Sequence, residues 1–255
     1  TYFLLLAGLI LLAFTACQND ELVNGGSGNE TAVSFSVQLP GANAPSTRAA
    51  GDGTQVNRCI MEIYLGDKLY GERHGVGFFV GCVLKGKGVV PVAGNKTATF
   101  NVRLVTSQTY DFVFWADVSG EGGIKADRHY QTANGLQNIS LLGTYAGNDD
   151  SRDAFTGVLL SKLVTGAFNE AVELTRPFGQ LNIKTTDLES IPTDRTALIP
   201  AAASLAFKGV YTGFNAHTGA VTGDLAALSY NENAAVVDGD GALTMDYLFA
   251  PKEGQ

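Results

Sequence analysis

Apolar and polar residues alternate with a period of two in several short stretches of this chain, and no other feature constrains the fold as strongly. In the first stretch serine and glutamine alternate with four apolar residues, Val33, Phe35, Val37 and Leu39. Successive side chains of a strand point to opposite faces, so these four residues predict one buried strand face. A Pro-Gly pair follows directly and predicts the end of the strand.

The same alternation predicts further strands within residues 59–65, 98–104 and 110–116. Shorter apolar stretches predict others near residues 138–142, 172–183, 204–211, 228–230 and 243–249. Glycine accounts for 31 of the 255 residues, as expected of many short strands joined by tight turns. One segment, Asp150 to Leu163, is compatible with a short helix capped by Asp150 or Ser151, although its glycine weakens the pattern. The fold class is therefore predicted to be all-β.

The length of the chain predicts two modules, because 255 residues exceed the ~100–200 residues of one typical domain. We place an N-terminal β-sandwich at residues 49–168 and a C-terminal β-sandwich at residues 169–255. The second module stops at Gln255 without an obvious terminal strand. We therefore expect its C-terminal end to be cut short.

The apolar run from Tyr2 to Ala16 indicates where the protein goes. It is shorter than the ~20 residues that a helix needs to cross a bilayer, so residues 1–16 are predicted to be a signal peptide whose start is missing. The run ends in Phe-Thr-Ala-Cys17, which resembles the lipobox of bacterial lipoproteins, where signal peptidase II cleaves before an acylated cysteine. Because several acyl chains, such as palmitate, anchor a protein durably, Cys17 is the predicted lipidation site. A buried cysteine after an ordinary signal peptide is the alternative.

Two polar segments flank the first predicted strand. Residues 22–31 are rich in glycine and asparagine and predict a flexible tether, whereas residues 41–54 predict an exposed loop. Before the tether, the short acidic tract at residues 18–21 resembles the signal that sends lipoproteins of the Bacteroides group to the outer face of the outer membrane. The expected location is therefore the cell outer membrane, with the protein exposed at the surface.

Charge and cysteine content exclude several partners. The chain has 17 basic and 25 acidic residues, a net charge of -8, so it lacks the basic surface that nucleic acid binding needs. No Cys-x-x-Cys motif or Cys/His cluster predicts a zinc site. Cys59 and Cys82 form either a bridge across strands or two separate core residues, and the sequence leaves both open.

Three groups of residues resemble chemical sites but have simpler explanations. Residues 81–88 nearly match a P-loop, yet Gly88 replaces the hydroxyl that would hold magnesium, and no helix start follows. The acidic clusters at residues 149–153 and 238–241 lack the spacing of a calcium loop and favour turns. The three histidines, His74, His129 and His217, lie in turn-rich stretches and are interpreted as solvated loop residues. We therefore expect no catalytic residues, no metal and no cofactor, and the protein is not expected to be an enzyme.

The aromatic run from Tyr110 to Trp115 allows two interpretations. The ring of Trp115 could form a platform on which a sugar stacks, but a single tryptophan among alternating apolar residues is more often part of a core. The core interpretation is favoured.

Several of these segments together resemble the fimbrillins and Mfa-like lipoproteins of the Bacteroidales. The resemblance extends over essentially the whole chain and rests on the lipobox, the first strand, Thr47-Arg48-Ala49, and the stretches 99–104, 110–117 and 176–183. It implies two tandem transthyretin-like Greek-key β-sandwich domains and assembly into type V pili. It also implies that residues 17–48 are a lipidated propeptide, that an Arg-specific protease cuts after Arg48, and that Ala49 becomes the new N-terminus. In that family the donor strand lies at the C-terminus, and this chain ends before any candidate for it.

A physical argument leads to the same mechanism. A cut after Arg48 would release the strand that carries Val33, Phe35, Val37 and Leu39, leaving unpaired backbone groups and an apolar groove. A strand from a neighbouring pilin subunit would fill this groove, and head-to-tail contacts of this kind grow a filament that mediates adhesion. The alternative function is a surface lipoprotein that binds glycan and does not polymerise.

Overall fold

The structure is a computed structural model that describes residues 29–40, 53–70, 87–92, 96–187, 190–191, 194–195, 200–232 and 242–251. These residues form an all-β fold, as predicted. The strands are β1 (Glu30–Gln38), β2 (Arg58–Leu65), β3 (Lys68–Leu69), β4 (Lys87–Pro91), β5 (Thr97–Val105), β6 (Gln108–Asp117), β7 (Tyr130–Gln131), β8 (Ile139–Leu141), β9 (Phe155–Val164), β10 (Phe168–Glu173), β11 (Phe178–Lys184), β12 (Ala203–Asn215), β13 (Ala220–Glu232) and β14 (Ala242–Phe249). The described helical residues are a 3-10 turn at Asp150–Arg152 and Ser190, which also has 3-10 geometry.

The described strands form three sheets. Sheet A has the order β10-β1-β5, and sheet B has the order β3-β2-β6-β9 with β4 also paired to β2. Sheet C has the order β11-β14-β12-β8-β7, with β13 paired to β12. Neighbouring strands run antiparallel in all these pairs except β1 and β10, which run parallel.

Sheet B is the middle layer, because its central strands β2 and β6 are buried on both faces. One face, with Met61 and Phe114, packs against the apolar side chains of sheet A. The other face, with Ile60 and Trp115, packs against Phe214 and other apolar side chains of sheet C. This explains why β2 and β6 are apolar on both faces, whereas β1 and β5 alternate strictly.

Trp115 belongs to the core between sheets B and C. Its side chain has no solvent exposure, and its ring makes an edge contact with Tyr130 at a centroid distance of 5.4 Å. Its indole nitrogen donates a hydrogen bond of 3.0 Å to the Asp117 carboxylate. The core interpretation is therefore confirmed, and the exposed sugar-stacking platform is wrong for this residue.

The short helix with which residues 150–163 are compatible does not form. Only the 3-10 turn forms at its start, with the Asp149 side chain accepting a hydrogen bond from the Ser151 amide. From Phe155 onward the chain is the edge strand β9, paired with β6. Pairing with a long neighbouring strand outweighs the weak local helix preference, which Gly157 reduces further.

Strands from both predicted domains contribute to the outer sheets. Strands β7 and β8 precede residue 168 but belong to sheet C, whereas β10 spans the predicted boundary and belongs to sheet A. The chain thus crosses between the layers more than once. The boundary between residues 168 and 169 stays a prediction.

Candidate functional site

Strand β1 occupies the centre of sheet A. Its register with β5 runs from Glu30 opposite Val105 to Gln38 opposite Thr97. Its register with β10 runs from Val33 beside Phe168 to Gln38 beside Glu173. Within the described residues β5 and β10 are not paired to each other, so β1 is the strand that joins them. We call the position between β5 and β10 the β1 slot.

The inward face of β1 is fully packed. Val33 and Val37 are each 2% exposed, Phe35 has no exposure, and Leu39, just beyond the strand, is 6% exposed. The Phe35 ring lies 4.5 Å from the ring of Phe112, centroid to centroid. At about 1.5–3 kcal/mol for each buried side chain, these four residues contribute roughly 6–12 kcal/mol of transfer free energy. That is similar to the whole stability of a typical domain, about 5–15 kcal/mol.

Between its two ends the outward face of β1 carries the small, uncharged residues Ala32, Ser34 and Ser36. Ser34 and Ser36 lie on this face, beside Asn101 and Thr99 of β5. Neither serine is fully buried. A strand that fills the β1 slot therefore needs apolar residues on one face only.

The chain that leaves β1 and the chain that leads to β2 meet at one corner of the fold. Gly53, with φ of +64°, sits over the ring of Phe155, where a Cβ would lie only 2.9 Å from a ring carbon. The same Cβ position lies 3.5 Å from Cδ1 of Leu39. The connection between β1 and β2 therefore starts and finishes at the same corner. Arg48 and Ala49 belong to this connection but lie outside the described residues.

A buried carboxylate fixes this corner. Asp153, which is 1% exposed, accepts two hydrogen bonds of 2.8 Å from the Nε and Nη2 atoms of Arg176, and one of 3.2 Å from the Gly53 amide. The guanidinium carbon of Arg176 also lies 4.8 Å from the centre of the Phe155 ring. Burial raises the pKa of Asp153, and the bonds from Arg176 and Gly53 oppose this effect. We call Gly53, Asp153 and Arg176 the corner clamp.

The structure brings together only part of the predicted site. It places Val33, Phe35, Val37 and Leu39 side by side in the core of sheets A and B. The predicted lipidation site Cys17 lies outside the described residues, as do both residues of the predicted processing site. Lipidation, cleavage and strand displacement remain predictions.

The interpretation of His129 as a solvated loop residue is wrong. Its side chain is only 12% exposed, and Nε2 lies 2.7 Å from the hydroxyl oxygen of Ser151. Burial and the charge of Arg152 lower the pKa of His129 to about 4, although Asp149 opposes them. The Ser151 hydroxyl itself donates to Asp149, so this arrangement caps a turn and does not present a serine to its base.

The same interpretation is wrong for His217, whereas His74 lies outside the described residues. His217 is 12% exposed and stacks on Tyr64, with ring centroids 4.8 Å apart. Its Nε2 lies 2.9 Å from Asp111 of β6, and its Nδ1 lies 2.9 Å from the Gln137 amide nitrogen. This histidine therefore attaches the turn between β12 and β13 to sheet B. Turn-rich sequence predicted the loops correctly but not their packing.

The other candidate motifs are structural where they are described. The acidic residues at 149–153 cap the 3-10 turn and pair with Arg176, and the cluster at 238–241 lies outside the described residues. The end of the near P-loop, Lys87 and Gly88, begins β4. Nowhere in the described part of the chain do three or more His, Cys, Asp or Glu side chains meet as metal ligands would. Cys59 is buried with a free thiol, and Cys82 lies outside the described residues.

None of the described residues belongs to an apolar helix of bilayer-spanning length.

Sequence reasoning missed the corner clamp and the parallel pairing of β1 with β10. The alternation of Val172 and Leu174 predicted a strand, but not that it would lie beside β1. In the sequence, Asp153 belongs to the acidic cluster at residues 149–153, which predicts a turn, and Arg176 begins the stretch 176–183, which predicts a strand. A charged residue directly before a proline at a strand boundary was the one available signal, and it is a weak one.

A family model described as a family of unknown function (DUF6562) matches residues 25–255. Among curated protein sequences, none matches this chain significantly. The chain is similar to a solved structure of a candidate adhesin from Bacteroides ovatus, with 13% identity and a TM-score of 0.47, covering 87% of this chain and 67% of that one. It is also similar to a fimbrial assembly protein from Parabacteroides distasonis, with 10% identity and a TM-score of 0.43, covering 89% of this chain and 78% of that one. These likenesses are too distant to carry a function from one chain to another.

Proposed function

This chain belongs to the DUF6562 family of unknown function, and we propose that it is a fimbrial subunit or a fimbria-associated surface lipoprotein that assembles by strand exchange. In this proposal Cys17 carries the lipid anchor at the outer membrane, and an Arg-specific protease cuts after Arg48. Strand β1 then leaves, and a strand of a neighbouring subunit enters the β1 slot. The resulting fimbria mediates adhesion at the cell surface. This resembles the assembly of fimbrillins and Mfa-like lipoproteins.

The observation that carries the proposal is the central position of β1 in sheet A. Removing an edge strand leaves one unpaired edge, but removing β1 leaves unpaired backbone groups on both β5 and β10. It also uncovers the apolar core that Val33, Phe35 and Val37 fill. A strand from another subunit satisfies both needs at once, which makes exchange favourable only after β1 has gone.

The connection between β1 and β2 supports the same proposal. Cleavage after Arg48 separates β1 from the rest of the chain, while Gly53 stays bonded to Asp153 and Asn57 donates a backbone hydrogen bond of 3.2 Å to Asp117. The start of the chain downstream of the cut, residues 53–57, thus keeps contacts that do not involve β1. One cut would release the lipid anchor and the blocking strand together.

The alternative is a glycan-binding lipoprotein that does not polymerise. Trp115 was the side chain that the sequence offered for sugar stacking, and it is buried. No other observation favours this function over assembly. An enzymatic function is not part of the proposal.

The test is to follow assembly of the Arg48→Ala variant at the surface of its native cell. We expect the variant to keep β1, remain anchored and form no filaments, whereas Arg195→Ala, at an exposed arginine, assembles normally. Filaments of normal length from Arg48→Ala would contradict the proposed mechanism. Electron microscopy and the mass of the extracted subunit provide the two measurements.

A further inference from the structure

Strand β10 has direct contacts with sheet B that do not depend on β1. Near the start of β10, Glu170 pairs with Lys162 of β9, with 2.5 Å between Nζ and Oε2. Just after its end, Thr175 and Thr156 exchange two backbone hydrogen bonds of 2.8 and 2.9 Å. Loss of β1 would leave both contacts in place. The wall of the β1 slot formed by β10 therefore has its own attachment to sheet B.

The corner clamp strengthens this attachment at the end where β1 finishes. Arg176 follows β10 closely, and its two parallel hydrogen bonds to Asp153 fix both the position and the direction of the chain. The Leu174 amide donates a hydrogen bond of 2.9 Å to the Gln38 carbonyl of β1, so the clamp lies next to a contact that is lost when β1 leaves. The hydrogen bonds of the corner clamp join Gly53, Asp153 and Arg176 to one another and do not involve β1.

We propose that Arg176 and Asp153 are positioning residues that keep β10 in its strand position while the β1 slot is empty. This inference rests on the proposed function, because it concerns the state between loss of β1 and arrival of a new strand. If β10 stays ordered, every empty β1 slot can bind a strand. If β10 is disordered part of the time, only the fraction of molecules with an ordered β10 can bind one. The clamp therefore raises the rate of strand entry rather than the lifetime of the bound strand.

The experiment uses the full chain with the recognition sequence of a site-specific protease in place of residues 43–49. After cleavage, the released segment is removed by gel filtration in mild urea. A fluorescent peptide of residues 30–40 is then added to the emptied protein, and its association and dissociation rates are measured. Wild type is compared with the double variant Asp153→Asn/Arg176→Gln, which leaves no uncompensated buried charge. Arg195→Gln is the matched control, because Arg195 is exposed and lies outside the corner clamp.

We expect the double variant to bind the peptide with an association rate about tenfold lower, because a smaller fraction of its molecules has an ordered β10. The dissociation rate of the bound peptide should be unchanged. Most interface changes act on dissociation, so this pattern is diagnostic. An unchanged association rate with faster dissociation would mean that the clamp only stabilises the bound strand, and it would overturn the inference alone. If cleaved wild type takes up no peptide, the proposed function fails, and the inference fails with it.

Discussion

At the scale of single residues, Phe35 is the side chain on which the packing of β1 most depends. Its ring is fully buried and contacts Phe112, Phe114 and Phe168. We expect Phe35→Ala to lower the free energy of unfolding of the uncut protein by about 3–5 kcal/mol, because it leaves a cavity between sheets A and B. Ser34→Ala, one residue away on the outward face, should change it by no more than about 0.5 kcal/mol. Urea unfolding followed by fluorescence measures both, and equal effects would contradict the assigned register.

His129 gives the fold a dependence on pH. Its pKa is about 4 in the folded chain and about 6.5 in the unfolded chain. Between these values the unfolded chain binds more protons, so stability falls as the pH falls from about 6.5 to about 4, by roughly 3 kcal/mol in total. His129→Gln should flatten this part of the pH profile, measured by urea unfolding at a series of pH values. A variant profile parallel to that of wild type would show that His129 is not the group that titrates.

At the scale of elements, the proposed strand exchange requires β1 to leave the β1 slot. Ser36 of β1 and Thr99 of β5 lie directly opposite each other on the outward face of sheet A. Cysteines at opposed antiparallel positions are close enough for a disulfide, so Ser36→Cys/Thr99→Cys should lock β1 in place after cleavage. We expect the oxidised variant to form no filaments and the reduced variant to form them. Electron microscopy with and without reductant is the measurement.

The single variant Ser36→Cys is the matched control for this lock. It carries the same change on β1 without a partner on β5, and it should assemble under both conditions. Filaments from the oxidised double variant, with the disulfide confirmed by mass, would mean that assembly does not use the β1 slot.

The strands could be predicted from the sequence where one face is buried, and the corner clamp could not. Strict alternation in β1 and β5 identified both strands and their inward residues, because a period of two leaves little choice of face. The sequence of β9 is also compatible with a helix, because its pairing with β6 is a long-range contact that local preference does not contain. Asp153 and Gly53 are 100 positions apart, so their hydrogen bond leaves no trace in any local pattern. The packing of His129 and His217 could not be predicted for the same reason.

At the scale of the whole molecule, sheets A, B and C have different roles in the proposed assembly. The central strands of sheet B, β2 and β6, are buried on both faces and contribute to two cores, so sheet B supports both outer sheets. Sheet A is attached to it through one apolar face, and its central strand precedes the predicted cleavage site in the chain. A single proteolytic event can therefore change sheet A while the core between sheets B and C stays intact.

The central claim is that the mature protein lacks β1, and the N-terminal sequence and mass of the protein from its native cell surface test this most directly. The account predicts an N-terminus at Ala49 for subunits within filaments and a lipidated Cys17 only on unprocessed precursor. A lipidated N-terminus at Cys17 on every molecule, filaments included, would contradict it, because β1 would then still be covalently attached to the assembled subunit.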